Sequence, residues 1–184
     1  MAEFTLDEDQ KQIQDMMRKF AEKELRPIAR DCDEKDELPE ELLGKMWELG
    51  FCPNIIPEKF GGYEMGRSAL NAAIMVEELA WGDVSLTIGG MSPLLMAVPI
   101  LEFGTEEQKE EWLPRFCGEQ FYPATAALME RRITFEPVNL HTTVEIHKDT
   151  LVLKGSKCLV PLADRAEQIL VYATTAKGAG ASAI

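Results

Sequence analysis

Thr142-Thr143-Val144-Glu145-Ile146-His147, then Lys148-Asp149, then Thr150-Leu151-Val152-Leu153-Lys154 is the stretch where the chain changes its period. β-branched and apolar residues dominate both runs, and the polar pair between them is turn-forming, so two strands joined by a tight turn are expected. Gln168-Ile169-Leu170-Val171-Tyr172-Ala173-Thr174 reads as a third strand. The tail Lys177 to Ile184, rich in glycine and alanine, reads as a flexible turn or loop.

Upstream of Gly118 the spacing is helical. Leu6, Ile13, Met16, Met17, Phe20, Leu25 and Ile28 recur on one face of a helix expected from Leu6 to Arg30, with Pro27 ending or kinking it. Pro39 sits where a first helical turn accepts it and opens a short helix through Trp47 to Gly50. Pro53 to Gly62 reads as a loop, and Ser68 to Trp81 and Ser85 to Phe103 read as helices, the second poor in charge and so expected to be buried. Thr105-Glu106-Glu107-Gln108 is a capping box that starts a helix running to about Phe116. Helices followed by strands predict an α+β fold: an all-α domain over residues 1–119, then an incomplete antiparallel β domain over 120–184. The strands are too few to bury both faces of a sheet, which therefore needs further residues or a partner.

The totals narrow the function classes. A chain of 184 residues carrying a net charge of −13 does not suit a nucleic-acid or anionic-membrane surface, where clustered Lys and Arg are required. Cys32, Cys52, Cys117 and Cys158 have no paired spacing, and His141 and His147 lie six apart without a partner at a metal spacing, so neither a metal site nor a disulfide framework is expected. The N-terminal stretch lacks the pattern of a secretory signal, and the longest apolar runs fall short of the roughly 20 residues of a membrane span. The expectation is a soluble cytoplasmic protein with reduced thiols.

Leu79-Ala80-Trp81-Gly82-Asp83, the run Phe103-Gly104-Thr105-Glu106-Glu107-Gln108-Lys109-Glu110-Glu111-Trp112-Leu113-Pro114, and Gly118-Glu119 together resemble the amino-terminal helical domain of the acyl-CoA dehydrogenase family. Pro57-Glu58-Lys59-Phe60-Gly61-Gly62 is similar to that family's Pro-Glu-x-x-Gly-Gly turn. The resemblance implies a three-part oligomeric flavoprotein subunit of fatty acid metabolism: a helical domain, a middle β domain within which this chain stops, and a carboxy-terminal helical domain. It implies an oxidoreductase that takes an acyl-CoA thioester, binds FAD, removes hydrogens α and β to the thioester with hydride transfer to the flavin, and passes electrons to an electron-transfer flavoprotein or a similar acceptor. The family's usual glutamate base lies in the carboxy-terminal domain, so no catalytic residue is assigned in this chain. Thr87, Ile88, Met91 and Leu95 fall where the family's acyl tail runs along a helix, although a helical stripe of this kind also reads as plain core.

The segments that would face the flavin depart from the family. Counting back without gaps from Gly155 puts its Thr-Glu-Pro-x-x-Gly-Ser-Asp run at Met129 to Glu136, where only Glu130 is kept and Glu136 stands as an acidic substitute. The Trp-Ile-Thr motif becomes Leu159-Val160-Pro161, so the family's cofactor positions fall on Leu128, Met129, Leu159, Val160 and Pro161. Met129 and Leu159 read as packing residues. Arg131 and Arg132 could grip a phosphate but fit a solvated turn better. Two functions follow: an FAD-dependent acyl-CoA dehydrogenase, or a non-catalytic subunit supporting a flavin-bearing paralogue. A free-standing helical binding module is disfavoured by a β region too short to bury itself.

Overall fold

The computed structural model describes residues 5–148, 150–175 and 181–183. Eight α-helices occur among them: α1 (Glu8–Phe20), α2 (Ala29–Lys35), α3 (Glu40–Trp47), α4 (Phe51–Ile55), α5 (Ala69–Gly82), α6 (Val84–Gly90), α7 (Leu94–Phe103) and α8 (Glu106–Trp112). Five strands follow: β1 (Ala124–Ala127), β2 (Thr143–His147), β3 (Thr150–Lys154), β4 (Gln168–Thr175) and β5 (Ala181–Ala183).

The single helix expected from Leu6 to Arg30 is two. α1 starts at a capping box made by Asp7 and Gln10 and runs into a π-helical turn over Ala21–Leu25, where Arg26 N donates to Ala21 O at 2.8 Å. Pro27 follows that turn, and α2 begins only at Ala29. The widened turn is packed tightly, for Ala21 and Leu25 are wholly buried and face Gly82 at the end of α5. α5 is clamped to α1 by the buried carboxylate of Glu78, which accepts from Gln14 Nε2 at 2.8 Å and from Arg18 Nε. Arg18 also stacks on Trp81, 4.0 Å from the ring centroid.

Two further expectations are corrected. The stretch from Pro53 onward is not all loop, because Pro53 sits in the first turn of α4, where its missing N–H costs no helical bond. The turn after it wraps back on α4: Tyr63 N donates to Pro53 O and Met65 N to Asn54 O. Gly62 is required there, since a Cβ would lie 2.0 Å from the Ile56 carbonyl oxygen. The charge-poor helix from Ser85 to Phe103 divides at Met91-Ser92-Pro93 into α6 and α7, bent by 47°. Pro93 caps α7, and part of this pair is exposed rather than buried, including Val84, Ile88 and Leu95. No single helix among the described residues is long and apolar enough to cross a membrane; α6 and α7 together pass by length and composition only.

The capping box of Thr105 and Gln108 forms as read, but α8 gives way at Leu113 to a 3-10 turn through Cys117. The β2–β3 hairpin pairs antiparallel from Thr143 with Lys154 to His147 with Thr150. β4 is the hub of the sheet, parallel to β1 and β2 and antiparallel to β5. Thr174 pairs with both Thr143 and Ala181, so β2 and β5 flank β4 on opposite edges. The tail read as a flexible loop thus supplies a strand at Ala181–Ala183; Lys177–Gly180 and Ile184 lie outside the described residues. The α+β class holds, with a partly antiparallel sheet.

One core joins the helices to the sheet. Met96, Ala97, Ile100, Leu113 and Phe116 pack with Ala124 of β1 and Leu170 of β4. Trp47 locks the junction, its Nε1 donating to Gly118 O at 2.8 Å and its ring meeting Phe121 edge-on.

Candidate functional site

The residues expected along an acyl chain lie on α6, α7 and the bend between them, where Asp83 caps α6 by accepting from Leu86 N at 2.8 Å. They divide by direction. Thr87 is buried, its hydroxyl donating to Asp83 O at 2.6 Å, so its side chain serves the helix start rather than an open surface. Met91 turns inward with Met46, Trp47 and Phe51 around a void of about 10 Å³, no larger than a water. Ile88 and Leu95 point outward, 50% and 43% exposed. From Val84 to Leu101 the chain carries no charged residue, so this outward face is apolar and uncharged.

The structure brings the two β-region segments together. Cys158 N donates to Met129 O at 3.0 Å, setting Met129 beside Leu159. Lys157 reaches across beneath them, its Nζ donating to Leu128 O and to Glu130 Oε1, each at 3.0 Å. Glu130 is buried and also accepts from the backbone N–H groups of His141 and Thr142, each at 2.8 Å. Burial would raise its carboxyl, but those two N–H donors and the Lys157 ammonium outweigh it and hold the pKa at about 2. Gly155 permits the close approach, because a Cβ there would meet Thr142 Oγ1 at 2.5 Å.

Three residues of these segments behave differently from their sequence reading. Met129 and Leu159 do not fill a core: they are 40% and 80% exposed, and Leu159 holds a left-handed backbone with φ of 52°. Arg132 is neither solvated nor free to grip a phosphate. Its guanidinium is turned into its own loop, donating to Glu136 O at 3.2 Å and to Asn139 O, and meeting His141 Nε2 at 3.0 Å. Arg131 remains exposed. His141 and His147 are exposed, His141 meeting Arg132 and His147 lying 3.1 Å from Glu145, and among the described residues no group of three or more His, Cys, Asp or Glu could hold a metal.

A flavin ring presents carbonyl oxygens, an N–H and a bare ring nitrogen along its polar edge. Met129, Leu159 and Val160 have no side-chain donor for it, Pro161 lacks even a backbone N–H, and the N–H of Cys158 and the carbonyl of Leu128 are already bonded. The side chains present do not fit the group.

A groove that the sequence reading missed lies between α7, α8 and β4. It encloses about 480 Å³ and is lined by Met96, Ile100, Phe103, Trp112, Leu170 and Tyr172. Its one sequence trace is Phe103, an aromatic residue at a helix end that is 87% exposed.

Residues 7–120 match the family profile described as acyl-CoA dehydrogenase, N-terminal domain. The chain belongs to the acyl-CoA dehydrogenase family. This acyl-CoA dehydrogenase family member is 32% identical over 180 residues to the glutaryl-CoA dehydrogenase of Desulfococcus multivorans, a match covering 97% of this chain and 46% of that protein. Among solved structures, a chain from the electron transferring flavoprotein study of Acidaminococcus fermentans superposes with a TM-score of 0.79 at 34% identity, over 96% of this chain and 46% of that one. Glutaryl-CoA dehydrogenase from Mycobacterium smegmatis in complex with FADH2 gives 0.81 at 25% identity, over 97% and 46%. The family member spans about half the length of the curated relatives it matches.

Proposed function

We propose that this chain contributes the acyl-binding helical half of an acyl-CoA dehydrogenase, residues 1–119, with part of its middle β domain, residues 120–184. The whole protein then removes hydrogens α and β to an acyl-CoA thioester and hands the electrons to an electron-transfer flavoprotein or a similar acceptor. The observation that carries this is the uncharged outward face of α6 and α7, with Ile88 and Leu95 half-exposed on helices whose inward residues are already packed. An alkyl chain laid along that face gains roughly 0.8 kcal/mol for each methylene it buries. Thr87 and Met91 support the face from within.

A second reading is favoured by one observation, the misfit of Met129, Leu159 and Pro161 to a flavin. On it, the chain is a non-catalytic subunit that pairs with a flavin-bearing paralogue in a heteromeric dehydrogenase.

Titration calorimetry of the intact protein with saturated acyl-CoA thioesters of increasing length, and with CoA alone, tests the proposal. Affinity should rise with chain length, and Ile88→Asp should abolish the rise. Equal affinity for CoA and for every thioester would contradict it.

A further inference from the structure

Four observations bear on the loop that joins β1 to β2. First, its opening residue Glu130 has its carboxylate fully committed, to two backbone N–H groups and to Lys157. Second, Arg132 occupies the interior of the loop and ties three points along it, Glu136, Asn139 and His141. Third, Phe135 lies against the same guanidinium, 5.7 Å from its carbon to the ring centroid. Fourth, the facing segment turns a large apolar side chain, Leu159, outward from a left-handed backbone.

Together these observations bear on three routes by which a planar heterocycle could be held. A glycine-bearing loop lets backbone approach a ligand closely, whereas this one carries Arg132, Ile133, Thr134 and Phe135 and is filled by one of its own side chains. A hydrogen-bonding ring edge needs side-chain donors, and Met129, Leu159, Val160 and Pro161 offer none. A stacking face needs an aromatic ring, and position 159 offers a leucine.

From this we infer that the loop over residues 130–141, braced from inside by Arg132, and the segment Leu159-Val160-Pro161 exclude a flavin ring, so that any flavin in the assembled protein is held elsewhere. The inference rests on the chain's membership of its family and deepens the second reading above. Arg132 acts here as a positioning residue, fixing the loop from inside through Glu136, Asn139 and His141.

Hydrogen–deuterium exchange on the intact protein, with and without added FAD, tests this, together with equilibrium dialysis of FAD against wild type and Met129→Ala/Leu159→Ala. Exchange over 128–136 and 157–162 should be unchanged by FAD, and the double variant should retain as much FAD as wild type, including none. Protection of those peptides by FAD, or a tenfold or greater loss of FAD affinity in the variant, would overturn the inference. Co-purification with a flavin-bearing paralogue is scored separately: its absence defeats the second reading and leaves the exclusion standing.

Discussion

The Lys157 ammonium lies 3.0 Å from Glu130 Oε1, and both side chains are almost wholly withdrawn from solvent. This ion pair spans 27 residues of sequence and fastens the end of β1 to the segment after β3. Because the Glu130 carboxylate also accepts two backbone N–H groups, the pair is a satisfied network rather than an isolated pair of charges.

Lys157→Met removes the nearer cation and leaves the buried carboxylate with only Arg132 Nε, 3.9 Å away, as counter-ion. A loss of about 3 kcal/mol is expected from breaking a buried pair on one side. Chemical denaturation should show a lower midpoint with an unchanged slope; a midpoint equal to that of wild type would mean the pair contributes nothing.

Acid should undo the same network. The Glu130 carboxyl is depressed from its ordinary value of 4.5 to about 2, so the stability it supplies is complete above the unfolded value and is lost as pH falls from near 4.5 to near 2. The contribution is on the order of 3 kcal/mol. Glu130→Gln should flatten the stability profile across that window, which thermal melts at stepped pH would detect.

Gly82 at the end of α5 has no room for a side chain. A Cβ there would lie 2.9 Å from Leu25 Cβ and 3.0 Å from Ala21 Cβ, both on the buried π-helical turn. Gly82→Ala should therefore cost about 2 kcal/mol through overpacking, despite alanine's better helix propensity. Gly44, with nothing within 4 Å of its Cβ position, is the control: Gly44→Ala in α3 should be neutral or stabilising in the same melts.

Thiol chemistry should divide the four cysteines. Burial pushes the Cys52 thiol far up, and burial, aided by nearby Asp31 and Asp83, raises Cys32. Both stay protonated at neutral pH and unreactive. A colorimetric thiol assay on the native protein should count at most two of four groups, from Cys117 and Cys158, and all four after denaturation.

The helices and the hairpin were legible because their signals are local. The Thr105–Gln108 capping box and the Thr143–Lys154 alternation each specify structure within a few residues, and both form as read. The break between α6 and α7 was also local, in Pro93, but a run without charge masked it by reading as continuous core. β1 and β5 escaped because Ala-Thr-Ala-Ala and Ala-Ser-Ala carry little pattern and become strands only by pairing with β4. The inward turn of Arg132 was beyond sequence reasoning, since its partners Glu136, Asn139 and His141 sit at spacings set by the shape of the loop. The exposure of Leu159 was hidden for a similar reason: leucine ordinarily marks a core, whereas here it stands exposed on a left-handed backbone.

The central claim is that this chain serves the oxidation of acyl-CoA thioesters. Its most direct test is anaerobic incubation of the intact protein, together with any co-expressed flavin-bearing partner, with a panel of thioesters and a dye acceptor, followed by mass analysis of the CoA products. The account predicts dye reduction matched by a product two hydrogens lighter than at least one thioester of the panel. An unreduced dye and unchanged thioesters throughout, from a folded protein containing flavin, would contradict it.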